Sequence, residues 1–368
     1  MPYYKGVIDA LRNNGHPEEA CQVADRLLRL RTKLRNEIPE RNVDHSVLIA
    51  TWNLREFGRN EKCGKRLGES ILYIAEIISR FDIVAIQEVN ERLDDFQFLM
   101  ELLGRWWEYI VTDVTPGPSG NKERIAFIYD SRKLRFDHLA GELSVAQTKK
   151  TTRQPARSPF ICAFRAGWRR ISLCSVHIYY GSPKANDSIR VKEIEEIAKL
   201  LDKRNRNRQE TSDGEPDCVI LLGDFNIFNK SGDETSKALA ASHFVVPKPM
   251  LELPATNLGG DKYFDRIAFH DPTGKLKSSC AGVFDFTSVL YTEADVSLYE
   301  SVMVRSAGKK LKSSKKPGSF YREWRTFQIS DHLPLWVEIR TNFAEAYLAN
   351  AMRACKPSAA ANQLVRSR

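Results

Sequence analysis

The sequence has no CxxC pair. Its seven cysteines are odd in number and scattered, which indicates neither a disulfide framework nor a structural zinc site and fits a reducing compartment. No apolar run approaches membrane-spanning length, and the opening MPYYKGVIDALRNNGHPEEA holds no apolar core of the size a secretory signal needs. The expectation is a soluble, cytoplasmic protein with no membrane partner. Internal repeats and heptad runs are also missing, so a solenoid or a long coiled coil is not expected.

What is present is the composition of a globular domain: 368 residues, 42% hydrophobic and 28% charged, enough for a sizeable core. Lys and Arg outnumber Asp and Glu by 56 to 47, a formal charge of +9 that favours polyanionic partners without naming one.

The stretch VILLGDFNIF, residues 219–228, organises the rest. A short run of Val, Ile and Leu reads as a buried strand, Gly223 permits a sharp turn, and alternation then points Asp224 and Asn226 one way and Phe225 into the core. A carboxylate beside a carboxamide suits a hard cation or a phosphoryl group. Taken alone, the same residues could form an Asx turn at a strand end.

Other apolar runs end in the same manner. SVLIATWNL reaches Asn53, FDIVAIQEV reaches Gln87 and Glu88, and SLCSVHIYYG carries His177; YFDRIAFH opens with Asp265, and ISDHLPLWVEI places Asp331 and His332 before a final strand. Ligand sites form outside strand ends, so these groups can converge on one cleft. Their chemistry fits phosphoester hydrolysis. Glu88, Asn53 and Asp331 would hold Mg²⁺, with Mn²⁺ or Ca²⁺ as alternatives. His177 and His332 would hydrogen-bond the phosphate, Asp224 would act as general base toward water, and Asn226 would orient the phosphate or a second ion.

In order, IATWNLREFG, DIVAIQEV, NKERIAFIY, SVHI, LLGDFN, YFDRIAF and ISDHLPLWVEI resemble the endonuclease/exonuclease/phosphatase superfamily, and within it the deoxyribonuclease I branch. The resemblance spans roughly Val47 to Ile339. It implies an α+β, four-layer αββα sandwich in which two sheets pack face to face between helices. It also implies that Glu123 pairs with a catalytic His177, that Asp265 orients His332, that Asp331 is linked to the metal, and that Arg157 binds phosphate. Two places depart from that branch: Asn90 and Asn121 stand where it has the arginine and tyrosine used in the DNA minor groove.

The domain reading is an N-terminal helical extension over 1–45, the phosphoesterase domain over 46–341, and a C-terminal helix with a polar tail over 342–368. The extension should be an amphipathic helix over 17–38 with Pro17 at its start. Residues Arg305 to Gly318, rich in Lys, read as a loop. Basic clusters near Lys149, Lys203 and Lys309 are candidate phosphate contacts. The first functional reading is a metal-dependent nuclease acting on DNA or RNA. The alternatives are a phosphatase or phosphodiesterase for a small molecule or lipid headgroup, and a non-catalytic nucleic-acid-binding scaffold.

Overall fold

The computed structural model describes residues 2–58, 63–115, 121–145, 154–182, 184, 186–211, 218–230, 234–274, 276–307 and 317–354. The first half of the chain forms α1 (Lys5–Asn13), α2 (Pro17–Glu37), β1 (Ser46–Phe57), α3 (Gly68–Ile78), β2 (Ile83–Val89), α4 (Asp94–Leu103), β3 (Trp107–Val111), β4 (Arg124–Asp130), β5 (Arg135–Glu142), β6 (Phe160–Ala166) and β7 (Arg169–His177). The second half forms α5 (Ser188–Thr211), β8 (Cys218–Asp224), α6 (Glu234–Ala241), β9 (Asp265–His270), β10 (Ser278–Val283), α7 (Val296–Ala307), α8 (Pro317–Gln328), β11 (Leu335–Arg340) and α9 (Ala344–Ala354).

Among the described residues the strands form two sheets, ordered β10-β11-β1-β2-β4-β3 and β5-β6-β7-β8-β9. The central strands read as unbroken apolar runs because both of their faces are covered. On β1, Val47 and Ile49 face the second sheet, while Leu48, Ala50, Trp52 and Leu54 face α2, α3 and α8. On β8, Ile220 and Leu222 face inward, while Val219 and Leu221 meet Ile194, Ile197 and Leu201 of α5. Helix, sheet, sheet and helix therefore stack as the expected αββα sandwich, with an apolar layer between each pair.

Helix α2 starts at Pro17 and buries Ala20, Val23, Leu27, Leu30 and Leu34, although Leu28, in the same apolar series, is exposed. Its Arg26 reaches Asp295 at 2.9 Å, which ties the N-terminal helices to the segment entering α7. The expected loop from Arg305 to Gly318 is corrected at both ends, since α7 runs to Ala307 and α8 starts at Pro317. Helix α8 buries Phe320, Tyr321, Trp324 and Phe327, an amphipathic stripe that the Lys-rich residues before it obscured. The clusters at Lys149 and Lys309 lie outside the described residues, whereas Lys203 is an exposed residue of α5. No helix of the described residues is long and apolar enough to cross a membrane.

Candidate active site

The cleft opens where both sheets end together. On strand after strand, the inward series that fills the core finishes on polar side chains at that end. Thr51 and Asn53 follow Val47 and Ile49, Gln87 follows Ile83 and Ala85, Ser175 and His177 follow Ile171 and Leu173, and Asp224 follows Ile220 and Leu222. Strand β9 runs the other way and begins there with Asp265. His177 is paired with Asp224 across β7 and β8, and Asp224 with Asp265 across β8 and β9, so the three stand side by side. Gly223 permits this alignment: its φ is 139°, and a Cβ there would stand 2.0 Å from the Val176 carbonyl oxygen.

A polar belt separates the cleft from the core. The Gln87 amide donates to Ser175 Oγ across the sheets at 2.9 Å and to Thr51 Oγ1 at 3.1 Å. Asn53, fully buried, donates to Glu88 Oε1 at 2.8 Å and to Asp224 Oδ2 at 3.0 Å, fastening the two sheets at the cleft floor. Its own oxygen accepts the Arg55 backbone N–H at 2.9 Å. Glu88 Oε2 accepts the Glu56 N–H at 2.8 Å. Arg55, Glu56, Glu88 and Asn226 all hold left-handed φ between 42° and 60°, conformations that cost energy in non-glycine residues and gather at this rim.

Two carboxylate–histidine pairs flank Asp224. His332 Nδ1 lies 2.9 Å from Asp265 Oδ2, with Asp265 fully buried and its backbone N–H donated to Thr256 Oγ1. His177 Nδ1 lies 2.9 Å from Glu123 Oε2, close enough for an ion pair, although the ring N–H is not aligned with an acceptor for a hydrogen bond. The far nitrogens of both rings converge on one atom, Asp224 Oδ2, at 3.6 Å from His177 and 3.7 Å from His332. Burial opposes the charged form of both rings. For His332 the Asp265 and Asp224 carboxylates outweigh it and raise the pKa well above the usual imidazole range. For His177, burial and the Arg157 charge are outweighed by Glu123 and Asp224, and the pKa is again raised. Glu123 goes the other way: burial would raise it, but His177 and Arg157 hold it down at about 2.

Of the residues singled out in the sequence, Glu88, Glu123, Arg157, His177, Asp224, Asn226, Asp331 and His332 line a cleft of about 610 Å³. Asn53 and Asp265 lie beneath it, fully buried. Arg157, expected on phosphate, grips Glu123 with Nε at 3.0 Å and Nη2 at 3.2 Å, so it also fixes the carboxylate that faces His177. Asp331 is partly exposed and pairs with Arg55 Nη1 at 3.1 Å. Asn226 commits one amide N–H to the Ile178 carbonyl at 2.8 Å, which leaves the second for a ligand.

Sequence reasoning missed Arg55, Tyr180 and Phe264, which also line the cleft. Phe264 packs on the His332 ring at a centroid distance of 5.3 Å. The Asp265 motif held its signal one residue away. Glu88 has Glu123 and His177 within ligand reach, and once the Asn53 oxygen turns from the Arg55 N–H the carboxylate and carboxamide oxygens here are of the kind a hard divalent cation takes. Burial raises the Glu88 pKa, His177 partly offsets it, and the Glu123 and Asp331 carboxylates add to the rise, so a cation beside Glu88 would favour its ionised form.

Comparison with known proteins agrees with this geometry. A family model described as "Endonuclease/Exonuclease/phosphatase family" matches residues 50–238. A deoxyribonuclease from Thioalkalivibrio sp. strain K90mix is 30% identical over 189 residues, which is 49% of this chain and 46% of that protein. The chain thus spans less than half the length of this curated relative. An endonuclease/exonuclease/phosphatase family protein from Bacteroides thetaiotaomicron superposes with a TM-score of 0.52 at 17% identity, covering 81% of this chain and 95% of that one. The human Nocturnin catalytic domain with a bound sulfate anion superposes with a TM-score of 0.52 at 15% identity, covering 80% and 94%. At such identities the likeness of structures establishes the fold, and the matched family model, which spans half of the chain including Asn53, Glu88, His177 and Asp224, establishes the lineage: the chain belongs to the endonuclease/exonuclease/phosphatase family.

Proposed function

We propose that the protein is a metal-dependent phosphodiester hydrolase, a nuclease acting on DNA or RNA. The observation that carries this reading is the convergence of two carboxylate-backed histidines on Asp224 Oδ2. Each imidazolium keeps a proton on the nitrogen facing the cleft, so the pair can bind two oxygens of one phosphate and stabilise the charge that builds on them. Asp224 stands between them to take a proton from an attacking water. The spare N–H of Asn226 holds a further phosphate oxygen. Glu88, Asn53 and Asp331 would hold the ion, Mg²⁺ first and Mn²⁺ or Ca²⁺ as alternatives. For Asn53 this requires its oxygen to turn from the Arg55 N–H to the cleft. What a divalent cation supplies when bound there is charge neutralisation at the phosphate and stabilisation of the leaving oxygen.

The deoxyribonuclease name of the bacterial relative and the excess of basic residues support a nucleic-acid substrate. A scaffold that only binds nucleic acid has no need of two buried carboxylate–histidine pairs, each of which is costly to desolvate.

Salt dependence separates a polymeric substrate from a small one. If about four phosphates are held by Lys and Arg side chains, log KM for DNA or RNA should rise with log salt at a slope of about 3, because counterions are released on binding. A flat KM for both polymers, together with efficient turnover of a small phosphomonoester, would transfer the assignment to the phosphatase alternative.

A further inference from the structure

We propose a second metal site, of the zinc class, at the end of the second sheet opposite the cleft, formed by Asp202, His243 and His270. The proposal is independent of the function assigned to the cleft. Strand β9 starts at Asp265 and ends at His270, so about 17 Å of strand separates the two places. Asp202 comes from α5, His243 from the turn after α6, and His270 from β9. Their ligand atoms all lie within 4.8 Å of one another.

The geometry suits tetrahedral coordination. Asp202 Oδ1 lies 3.0 Å from His270 Nε2 and 3.4 Å from His243 Nδ1. Bonds of about 2.0–2.1 Å to a tetrahedral zinc place neighbouring ligand atoms about 3.3 Å apart, so the cluster needs only small movements to close on an ion. The second Asp202 oxygen is held by Arg206 Nη2 at 2.6 Å, which leaves Oδ1 as a single-atom ligand. His270 is buried, packed against the Phe244 ring, and its Nδ1 lies 2.9 Å from the Asn205 amide nitrogen, Nδ2. With the Asn205 oxygen turned to it, Nδ1 keeps the ring proton and Nε2 presents its lone pair, the arrangement that zinc-ligating histidines use.

His243 favours a metal site over a simple buried His270–Asp202 hydrogen bond: its side chain is 75% exposed, yet its ring, on a backbone with a left-handed φ of 62°, meets the same carboxylate oxygen. That exposed side gives an ion its entry path and leaves the fourth position to water. Two imidazoles and one carboxylate favour zinc over magnesium. Because the ligands come from three elements distant in sequence, the ion would clip α5, the turn after α6 and β9 together.

The test titrates the full chain with Zn²⁺ against a chromophoric chelator, in the wild type, Glu88→Gln and His243→Ala. The expected result is one zinc equivalent that survives Glu88→Gln and is weakened at least tenfold by His243→Ala. Saturating zinc should raise Tm by about 4 °C in the wild type but not in His243→Ala. His243 is exposed, so its removal should leave the fold and the Mg²⁺-supported activity unchanged. Equal zinc affinity and stoichiometry in His243→Ala and wild type, or loss of the bound zinc in Glu88→Gln, would overturn the proposal.

Discussion

His332→Ala should lower kcat/KM by about 10³-fold, the loss typical of removing a donor that meets charge developing in a transition state. The structure invests heavily in placing this ring. Asp265 holds Nδ1, Ser330 Oγ accepts the His332 backbone N–H at 2.9 Å, Trp52 Nε1 donates to the His332 carbonyl at 2.9 Å, and Phe264 packs on the ring. Asp265→Asn should cost less, about 10²-fold, because the ring stays in place but loses the carboxylate that keeps it charged. Since Asp265 is fully buried behind His332 and holds its Nδ1, the double variant should be little worse than His332→Ala alone. Losses that simply add in a double-mutant cycle on kcat/KM, at saturating Mg²⁺, would show that the two residues act independently.

Glu88→Gln is expected to abolish most activity, by about 10²-fold or more, without harming the fold. The substitution keeps the shape of a side chain that accepts from Asn53 and from the Glu56 N–H, but it removes the ionised oxygen aimed at the cation. The same change should leave Tm in metal-free buffer equal to or above that of the wild type. Burial and the Glu123 and Asp331 carboxylates raise the Glu88 pKa, so the folded apo protein disfavours an ionised side chain at this position, a cost that the neutral amide does not carry. Calorimetric titration with Mg²⁺ or Mn²⁺ together with a melting curve checks both halves. An unchanged metal isotherm and unchanged turnover in a folded Glu88→Gln protein would remove Glu88 from the metal-side role.

Where strands are buried on both faces, their identity was plain in the sequence, and so were the polar residues that end them. Asn53, His177 and Asp224 each follow an inward-facing apolar series, and the interruption of that series is itself the signal. Strands β5 and β10 gave no such pattern: RFDHLAGE and SSCAGV lie at sheet edges and are half exposed, so no apolar run marks them. Glu123 was reached only through the family resemblance. It follows a turn in which Asn121 and Lys122 take φ of 52° and 57°, and it ends no apolar run. Its grip by Arg157, across 34 positions of sequence, depends on tertiary packing that local pattern does not encode. For Arg55 the obstacle was similar, since its guanidinium is placed by Asp331 and by the Phe327 ring 4.0 Å away, both from the far end of the chain.

We propose that this cleft hydrolyses phosphodiesters through Asp224 and its two flanking histidines with a divalent cation bound. The most direct measurement is the initial rate of cleavage of labelled single-stranded DNA, duplex DNA and RNA by the full chain in Mg²⁺, with and without chelator, beside Asp224→Asn. Cleavage of at least one polymer is expected, stopping on chelation and falling about 10³-fold in Asp224→Asn, whose amide cannot accept the proton of water. Cleavage that persists under chelation or is undiminished in Asp224→Asn, or no turnover of any polymer or of a generic aryl phosphodiester in Mg²⁺ or Mn²⁺, would contradict it.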